Sequence, residues 1–406
     1  MTILKDKKIA VYVTGGIAVY KMANLVRALI KKGAQVRVAM TPAATEFVTP
    51  LTFQVLTRQA VLLDNFAEDR PSHVAHIEMA DWADYSLVAP ATANTLAKMA
   101  HGIADNAVTS ALLATATPIF VVPAMNEKMY ENFATQDNIS ILQSHDYYVM
   151  EPDTGFLAEG YEGKGRFPEE SRIIDEFESW ILAHTPNLSL SGKRIIISAG
   201  GTQEKIDPVR YITNRSSGRM GHALAEAAFY RGAEVVLVTA SHLPIHRGIR
   251  TILVASAREM YQVISKEFEQ ADGLIMAAAV SDYRPQNPAT QKIKKQNAGS
   301  DVWQIELTQN PDILKTISEH KKAHQWTVGF AAETENIEDY AKKKLVAKHL
   351  DMIVANDVSQ TDRGFDSHQN AGVIYRKDGR MTPIPLQAKS EMAEVILAEI
   401  EKYLIQ

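Results

Sequence analysis

Two pairs of glycines each follow an apolar run that begins after basic residues. Gly15-Gly16 follows the run from Lys8 to Val13, and Gly200-Gly201 follows a run that starts at Lys193. At the carboxyl end of a buried parallel strand, glycine lets backbone amides approach a phosphate, and the next helix N-terminus attracts it. Each pair therefore indicates either a phosphate-binding turn or simply a tight turn between a strand and a helix.

The ends of the second strands separate two kinds of nucleotide. A dinucleotide site has an acidic residue there, which holds the ribose. Here the second strands end in Ala-Met-Thr at 39–41 and in Thr-Ala-Ser at 239–241. The pattern argues against NAD in both halves, because these hydroxyl groups suit the phosphate of a mononucleotide better.

The elements that must position these residues alternate between strand and helix. A buried strand at 8–13, a helical period from Val19 to Ile30 and a second strand at 35–40 form a βαβ unit. The same alternation restarts in the second half, whose last strands flank Asp378-Gly379 as a predicted hairpin at the sheet edge.

We therefore predict an α/β protein with two doubly wound, mostly parallel-sheet Rossmann-like domains in tandem. The first domain would comprise residues 1–182 and the second residues 191–406. Between them, the segment 183–190 has the Pro, Asn and Ser content of a linker.

The composition excludes several classes of protein. The 406 residues are 46% hydrophobic and 22% charged, as in ordinary globular proteins, and the net charge of −5 favours neither nucleic acid nor an anionic membrane. The chain contains no cysteine, which excludes disulfides and thiolate metal sites. Because it also lacks a signal-peptide pattern and an apolar run of ~20 residues, we expect a cytoplasmic protein without a membrane span.

Four segments of the first half resemble the flavin-dependent cysteine decarboxylase family, in particular the phosphopantothenoylcysteine decarboxylases. They are Thr14-Gly-Gly-Ile-Ala18, His73-Val-Ala-His-Ile-Glu78, Ala89-Pro-Ala-Thr-Ala-Asn94 and Pro123-Ala-Met-Asn-Glu-Lys-Met129. The likeness covers residues 5 to 180. It implies that FMN is bound by Gly15, Gly16, Ile17, Ala18, Thr41, Ala89, Pro90, Thr92 and Asn94.

The resemblance also implies which groups are catalytic. His76 would be the active-site histidine and serve proton transfer, whereas Asn126 would hold the substrate carboxylate without an ion pair that opposes its loss. Met129 would form part of the wall around the substrate. In this family the thiol is oxidised to a thioaldehyde, carbon dioxide leaves, and the electrons return from the flavin. Considered alone, a histidine beside Ile77 is more often a half-buried packing residue.

One segment departs from the family pattern. The family has an Ala-Cys-Gly lid before Gly-x-Gly-Arg, and its cysteine is implicated in completing the reduction of an enethiol intermediate. Here the segment is Leu157-Ala-Glu-Gly-Tyr-Glu-Gly-Lys-Gly-Arg166, with Glu159 at the aligned position. We hypothesise that Glu159 donates the proton instead, provided that burial keeps its carboxyl group protonated.

The second half resembles the phosphopantothenate–cysteine ligases from about residue 191 to the C-terminus. Matching segments include Asn214-Arg-Ser-Ser-Gly-Arg-Met-Gly221, Ala277-Ala-Ala-Val-Ser-Asp-Tyr-Arg284, Lys292-Ile-Lys-Lys295, Asn310-Pro-Asp-Ile313 and Ala355-Asn-Asp-Val358. The resemblance implies that CTP activates 4′-phosphopantothenate as an acyl cytidylate, which the amine of cysteine attacks to release CMP. Mg²⁺ bound mainly through phosphates would assist. The choice of CTP over ATP comes from the resemblance alone.

The same resemblance assigns roles to single residues. Lys292 would be the catalytic lysine, and Asn214 would hold the acyl cytidylate with Arg210 beside it. The nucleotide would contact Gly200, Gly201, Asp282, Lys292, Asn310, Pro311, Asp312, Ile313, Phe330, Lys344 and Lys348. Alternatively, the lysines at 342–344 and 348 could form one solvated helix face.

Together the two resemblances predict a bifunctional enzyme of coenzyme A biosynthesis, in which the ligase product feeds the decarboxylase. Two alternatives remain open. One is a flavin decarboxylase that acts on a peptide with a C-terminal cysteine. This alternative assigns no function to the second half of the chain. The other is a non-catalytic flavoprotein, which would bind flavin but release no pyrophosphate. The resemblance further implies a homo-oligomer, a dodecamer of trimeric decarboxylase units that share flavin sites and dimeric ligase units.

Overall fold

The computed structural model describes residues 2–65, 74–294, 303–333, 336–357, 367 and 369–405. The chain divides into two compact units, Thr2–Ala183 and a second that begins at His184. Three residues of the segments quoted above, His73, Lys295 and Val358, lie outside the described residues.

Strands and helices alternate along the first unit. In chain order they are β1 (Lys8–Val13), α1 (Val19–Lys31), β2 (Gln35–Met40), α2 (Pro42–Thr45), α3 (Pro50–Thr57), α4 (Ala75–Trp82), β3 (Tyr85–Ala91), α5 (Ala93–His101), α6 (Ala107–Ala114), β4 (Ile119–Pro123), α7 (Glu127–Tyr130), α8 (Phe133–Ser144), β5 (Tyr148–Val149), β6 (Asp153–Phe156), β7 (Glu162–Arg166) and α9 (Glu170–Ala183).

Five of these strands form a parallel sheet in the order β2-β1-β3-β4-β5. The chain moves from β1 to β2 on one side and then crosses to β3 on the other side. The switch point of this sheet, where ligands of such folds bind, therefore lies between β1 and β3. The predicted doubly wound sheet is confirmed in this unit, and β6 and β7 form a separate antiparallel hairpin.

Both faces of the first sheet are covered by helices. On one face, α1 buries Leu25 and Leu29, which are four residues apart and therefore lie on one side of the helix. On the other face, α6 and α8 bury Val108 and Leu142. Because the strands are buried on both sides, the loops after them are held at fixed positions at one edge of the sheet.

The second unit contains β8 (Arg194–Ala199), β9 (Gln203–Lys205), β10 (Tyr211–Thr213), α10 (Arg219–Phe229), β11 (Glu234–Thr239), β12 (Arg250–Leu253), α11 (Ala257–Phe268), β13 (Gly273–Met276), β14 (Tyr283–Pro285), β15 (Leu307–Gln309), α12 (Ile313–Glu319), β16 (Trp326–Glu333), α13 (Ile337–Ala347), β17 (Met352–Asp357), β18 (Gln369–Arg376), β19 (Met381–Ala388) and α14 (Lys389–Leu404).

Its main sheet has eight strands in the order β12-β11-β8-β13-β16-β17-β18-β19. The first six are parallel, and β8 is followed by β11 on one side and by β13 on the other. The switch point therefore lies between β8 and β13. The hairpin predicted around Asp378-Gly379 is confirmed, since β18 and β19 pair antiparallel at the edge of the sheet.

Helices also cover both faces of the second sheet. The helices α10 and α14 bury Leu224 and Ile396 on one face, and α11 and α13 bury Ile264 and Leu345 on the other. Two small antiparallel pairs, β9 with β10 and β14 with β15, lie outside the main sheet, and the sequence patterns did not predict them. Among the described helices, none is both long and apolar enough to cross a membrane.

Candidate functional site

A cavity of about 1210 Å³ opens at the switch point of the first sheet. This volume exceeds the ~300–1,000 Å³ of most ligand-binding clefts, so the cavity is large enough for a ligand of mononucleotide size. Loops after β1, β2 and β3 contribute to its wall. Of the residues predicted for this half, those that line it are Gly15, Gly16, Ile17, Ala18, Thr41, Thr92, Asn94, Asn126, Met129 and Glu159.

Threonine hydroxyls join the loops that follow β1 and β3. The hydroxyl of Thr14 donates a 2.6 Å hydrogen bond to the carbonyl of Pro90 and accepts one of 3.0 Å from the backbone N–H of Thr92. Thr92 in turn caps α5 by accepting from the backbone N–H of Thr95. Ala89 and Pro90 do not line the cavity, so the structure places them behind this wall and not at its surface.

The side chain of Asn126 is fixed by two hydrogen bonds. Its oxygen accepts from the backbone N–H of Lys128 at 2.9 Å, which caps α7, and its nitrogen donates to the hydroxyl of Tyr161 at 2.8 Å. Tyr161 belongs to the turn between β6 and β7, the same turn that carries Glu159. Sequence reasoning missed Tyr161, although it lies within the segment 157–166 that was aligned with the family lid.

The hairpin formed by β6 and β7 is docked on the loop that carries Asn126. The carboxylate of Glu127 accepts from the backbone N–H of Lys164 at 3.0 Å, and the carbonyl of Gly165 accepts from the N–H of Met125 at 3.0 Å. Glu159 lines the cavity at this hairpin, but it is an exposed residue. The burial on which its proposed role as proton donor depends is therefore absent in the single chain.

His76 lies on α4 and is not among the residues that line this cavity. It is half-buried, and its Nδ1 atom is buried without a hydrogen-bond partner among the described residues. The structure thus does not bring His76 and Asn126 into one site within a single chain.

A second cavity, of about 540 Å³, lies at the switch point of the second sheet. The start of α10 forms one wall of it, so the positive end of a helix faces the cavity. Of the residues predicted for this half, those that line it are Asn214, Asp282, Asn310, Pro311, Asp312, Ile313, Phe330, Lys344 and Lys348.

Two asparagines hold the loop around Asp282 in place. Asn310 is buried and donates to the carbonyl of Ser281 at 2.8 Å, while its oxygen accepts from Arg284 at 3.0 Å. Asn214 donates to the carbonyl of Val280 at 3.0 Å. These bonds leave Asp282 itself exposed at the cavity wall.

Gly200 and Gly201 stand behind the wall of the second cavity and do not line it. Gly201 forms a parallel bridge with Ala279, and a Cβ atom at Gly201 would lie 2.4 Å from the carbonyl oxygen of Asn214. A side chain at this position would therefore push away the segment that carries Asn214. The paired glycines act here through close packing of backbone segments.

The lysines of α13, together with Lys348 directly after it, fall into two groups. Lys344 and Lys348 are one turn apart and line the cavity, where Lys348 also pairs with Asp312 at 2.9 Å. Lys342 is exposed and pairs with Glu338 at 2.6 Å. Lys343, likewise exposed, lies over the ring of Tyr340. The solvated-face interpretation therefore describes Lys342 and Lys343, and the other two lysines face the ligand space.

Neither Arg210 nor Lys292 lines the second cavity. The guanidinium of Arg210 donates to the buried carboxylate of Asp207 at 3.0 and 2.5 Å and to the carbonyl of Ile293 at 3.0 Å. Asp207 also accepts from the N–H of Ile293 at 3.2 Å. The hydrogen bond from Arg210 is the main cause that holds the pKa of Asp207 well below its usual range. The pair thus anchors the backbone next to Lys292, whose side chain is exposed.

Two α/β units, each with a ligand cavity at the switch point of its sheet, define a tandem nucleotide-binding protein. Comparison with known families agrees with this division. The family described as "Flavoprotein" matches residues 2–182, and the family described as "DNA/pantothenate metabolism flavoprotein C-terminal domain" matches residues 190–404.

Known proteins narrow the assignment further. The coenzyme A biosynthesis bifunctional protein CoaBC of Bacillus subtilis is 45% identical over 399 residues, which cover 98% of this chain and 97% of that protein. A crystal structure of the C-terminal domain of a CoaBC protein is 43% identical, with a TM-score of 0.46, over 54% of this chain and 99% of that one. The crystal structure of the FMN-dependent cysteine decarboxylase SpaF is 28% identical, with a TM-score of 0.37. The match covers 40% of this chain and 91% of that one.

The chain belongs to the family of bifunctional coenzyme A biosynthesis proteins. It is an enzyme with an FMN-dependent phosphopantothenoylcysteine decarboxylase unit followed by a phosphopantothenate–cysteine ligase unit. The full-length match accounts for the second half of the chain as the ligase unit. The two alternative interpretations, a peptide decarboxylase and a non-catalytic flavoprotein, assigned no function to that half.

Proposed function

We propose that the second unit uses CTP and Mg²⁺ to join 4′-phosphopantothenate to cysteine, and that the first unit converts the product into 4′-phosphopantetheine and carbon dioxide. The observation that carries this proposal is the pair of cavities at the two switch points, each lined by most of the residues predicted for its ligand. The absence of cysteine supports a reducing compartment, and we place the activity in the cytoplasm.

The residues around the first cavity fit FMN. The hydroxyl of Thr41 at a helix start, with the backbone at Gly15 and Gly16, offers the neutral donors that a phosphate monoester needs. FMN bound there would supply the two-electron oxidation of the substrate thiol and the later return of those electrons. The chain itself contributes binding and proton transfer.

In the first unit Asn126 would hold the carboxylate that is lost. Its amide nitrogen has a second N–H besides the one directed at Tyr161, and a neutral donor binds a carboxylate without the ion pair that would stabilise it against loss. Glu159, at the cavity wall, would return a proton to carbon in the reductive step. Because it is exposed in the single chain, this role requires that the bound substrate or a neighbouring subunit shields it from water.

His76 would act in a site shared between subunits. Its absence from the lining of the cavity in its own chain and the partial exposure of its side chain support a contact with the cavity of a neighbouring copy. This assignment accompanies the proposed assembly of trimeric decarboxylase units and dimeric ligase units into a dodecamer.

In the second unit the carboxylate of 4′-phosphopantothenate would attack the α-phosphorus of CTP. The bond to the β-phosphate would break, and Lys344 and Lys348 would offset the charge of the departing pyrophosphate. Mg²⁺ held through the phosphates would supply further neutralising charge. The amine of cysteine then attacks the acyl carbon, CMP departs, and the ammonium proton passes to solvent. Asn214 would hold the acyl cytidylate, and Lys292 would approach from the segment that Arg210 anchors.

A coupled assay on the full chain tests both activities. With 4′-phosphopantothenate, cysteine, CTP and Mg²⁺, we expect equal amounts of pyrophosphate and carbon dioxide and a flavin spectrum in the purified protein. Omission of cysteine should abolish carbon dioxide release. A protein that binds flavin but releases no pyrophosphate with CTP would contradict the ligase assignment.

A further inference from the structure

The glycine pair after β8 is followed by Thr202, a residue that none of the assignments above uses. Beyond the ends of β8 and β13, the two chain segments continue as a short parallel ladder. The carbonyl of Gly200 accepts from the N–H of Ala279 at 2.9 Å, and the N–H of Thr202 donates to the carbonyl of Ala279 at 3.3 Å. The ladder therefore joins the glycine turn to the loop that carries Asp282.

This ladder ends at the side chain of Thr202. In a continuing parallel ladder, the N–H of Ser281 would donate to the backbone carbonyl of Thr202. It donates instead to the hydroxyl oxygen of Thr202 at 3.0 Å. Both residues are buried, with exposed fractions of 0% for Thr202 and 3% for Ser281. The hydroxyl thus takes the place of the next backbone acceptor, and the chain leaves the ladder at Ser281.

Asn310 holds the same segment from its other side. Its side chain donates to the carbonyl of Ser281 at 2.8 Å, and its backbone N–H donates to the carbonyl of Asp282 at 2.8 Å. The two peptide groups that flank Asp282 are therefore held by Asn310, and the peptide group before them is held by Thr202. Asp282 itself is exposed and lines the second cavity.

We propose that Thr202 is a positioning residue for the ligation, because its hydroxyl sets the place of the Asp282 carboxylate and thereby the affinity for the nucleotide. This inference rests on the proposed function, in which the second unit binds CTP. A carboxylate favours a nucleoside triphosphate where it accepts from hydroxyl groups, whereas it repels the phosphates if it lies closer to them. The position of Asp282 therefore matters, and Thr202 acts on it without lining the cavity.

Two variants of Thr202 separate its hydroxyl from its shape. Thr202→Val keeps the shape but leaves the buried N–H of Ser281 without an acceptor, so the segment 280–282 must shift to find another one. We expect the Kd for CTP, measured on the full chain by titration calorimetry with Mg²⁺, to rise about tenfold. Thr202→Ser keeps the hydroxyl, and its Kd should stay within about twofold of the wild-type value.

Thr327 provides the matched control. It is also fully buried, and its hydroxyl accepts from Ser318 at 3.1 Å and from Lys321 at 3.2 Å. It lies near the start of β16 and does not line the cavity. Thr327→Val should therefore lower the melting temperature of the second unit, as Thr202→Val does, but leave the Kd for CTP unchanged. An equal rise of the Kd in both variants would reduce Thr202 to a purely structural role.

A double-variant cycle tests whether Thr202 acts through Asp282. If it does, Thr202→Val should change the Kd for CTP by less than about twofold once Asp282→Asn is present. The same rise of the Kd with and without Asp282→Asn, or an unchanged Kd in Thr202→Val alone, would overturn the proposal. Should Thr202→Val not fold, Thr202→Ala removes the same acceptor and takes its place in the cycle.

The wild-type chain separates this inference from the function on which it rests. If it releases no pyrophosphate with CTP, Mg²⁺, 4′-phosphopantothenate and cysteine, the proposed ligase activity itself fails. If it releases pyrophosphate and the Thr202 variants bind CTP as the wild type does, only the positioning role of Thr202 fails.

Discussion

The amide nitrogen of Asn126 donates a 2.8 Å hydrogen bond to the hydroxyl oxygen of Tyr161. Tyr161 and Glu159 belong to one turn, between β6 and β7. The residue proposed to bind the substrate carboxylate and the residue proposed to return a proton are therefore connected through a single side chain. A further bond between Glu127 and the backbone of Lys164 keeps the hairpin and the Asn126 loop together.

Removal of the Tyr161 hydroxyl should impair carboxylate binding. In Tyr161→Phe the amide of Asn126 loses one of its two fixed partners, and a hydrogen bond of this kind is worth about 0.5–1.5 kcal/mol. We expect kcat/KM for decarboxylation to fall roughly 2- to 10-fold while the bound FMN absorbance stays unchanged. Tyr20→Phe, at another exposed tyrosine beside the same cavity, serves as the control. An equal loss of flavin would instead indicate a general disturbance of the cavity.

Replacement of Glu159 should separate the two halves of the decarboxylase reaction. Without its carboxyl group the oxidative loss of carbon dioxide can proceed, but the last protonation has no donor in the lid. In Glu159→Gln we expect one equivalent of carbon dioxide per flavin, accumulation of an unreduced enethiol and little 4′-phosphopantetheine, measured by mass spectrometry. In Glu159→Cys, which restores the residue type of the family lid, turnover should continue. Full turnover by Glu159→Ala would remove Glu159 from the mechanism.

The sequence predicted the elements of the fold better than their arrangement. Apolar spacing marked β1, α1 and β2 closely, because one buried face per element leaves a periodic pattern in the chain. It did not predict which strands are neighbours, β2-β1-β3 in the first sheet and β11-β8-β13 in the second, since strand neighbours are not encoded in local periodicity. The small pairs β9–β10 and β14–β15 were missed because strands of three residues carry no periodic signal.

The same limit applies to the sites. Residues just after a strand, such as Gly15 and Thr41, could be predicted to line a cavity because carboxyl ends of parallel strands meet at one edge. Asn370 and Lys389 could not, because only the fold brings the start of β18 and the start of α14 to the same cavity. For His76 the difference runs the other way. The sequence motif predicted a residue of the site, but His76 does not line the cavity of its own chain.

Lys348, directly after α13, and Lys342 on α13 provide a matched pair for nucleotide binding. Lys348 lines the cavity, whereas Lys342 is exposed and pairs with Glu338. Because hydrogen bonds to charged groups are worth about 1.5–3 kcal/mol, Lys348→Met should raise the Kd for CTP about tenfold or more. Lys342→Met should leave it unchanged, as measured by titration calorimetry. Equal effects of the two substitutions would mean that α13 acts only through its overall charge.

Arg210 should affect catalysis more than nucleotide binding. Its guanidinium joins Asp207 to the carbonyl of Ile293, the residue after Lys292, and a lysine cannot make this forked contact. In Arg210→Lys we expect kcat for pyrophosphate release to fall roughly tenfold, with the Kd for CTP almost unchanged. Asp207→Asn should likewise lower kcat for pyrophosphate release and leave the Kd for CTP almost unchanged. If both variants instead weaken CTP binding and leave kcat intact, Arg210 does not act by positioning Lys292.

The buried His222 should make the second unit sensitive to mild acid. His222 is 6% exposed on α10, and burial lowers its pKa below the ordinary value near 6.5. Below that ordinary value the unfolded chain binds a proton that the folded chain does not, so stability present above about pH 6.5 is lost as the pH falls toward the folded pKa. In His222→Gln, which cannot take up this proton, the loss between pH 7.5 and about 5.5 should be smaller. Thermal unfolding of the full chain, followed at the transition that CTP stabilises, measures it. Identical pH profiles for the two proteins would show that other groups cause the acid sensitivity.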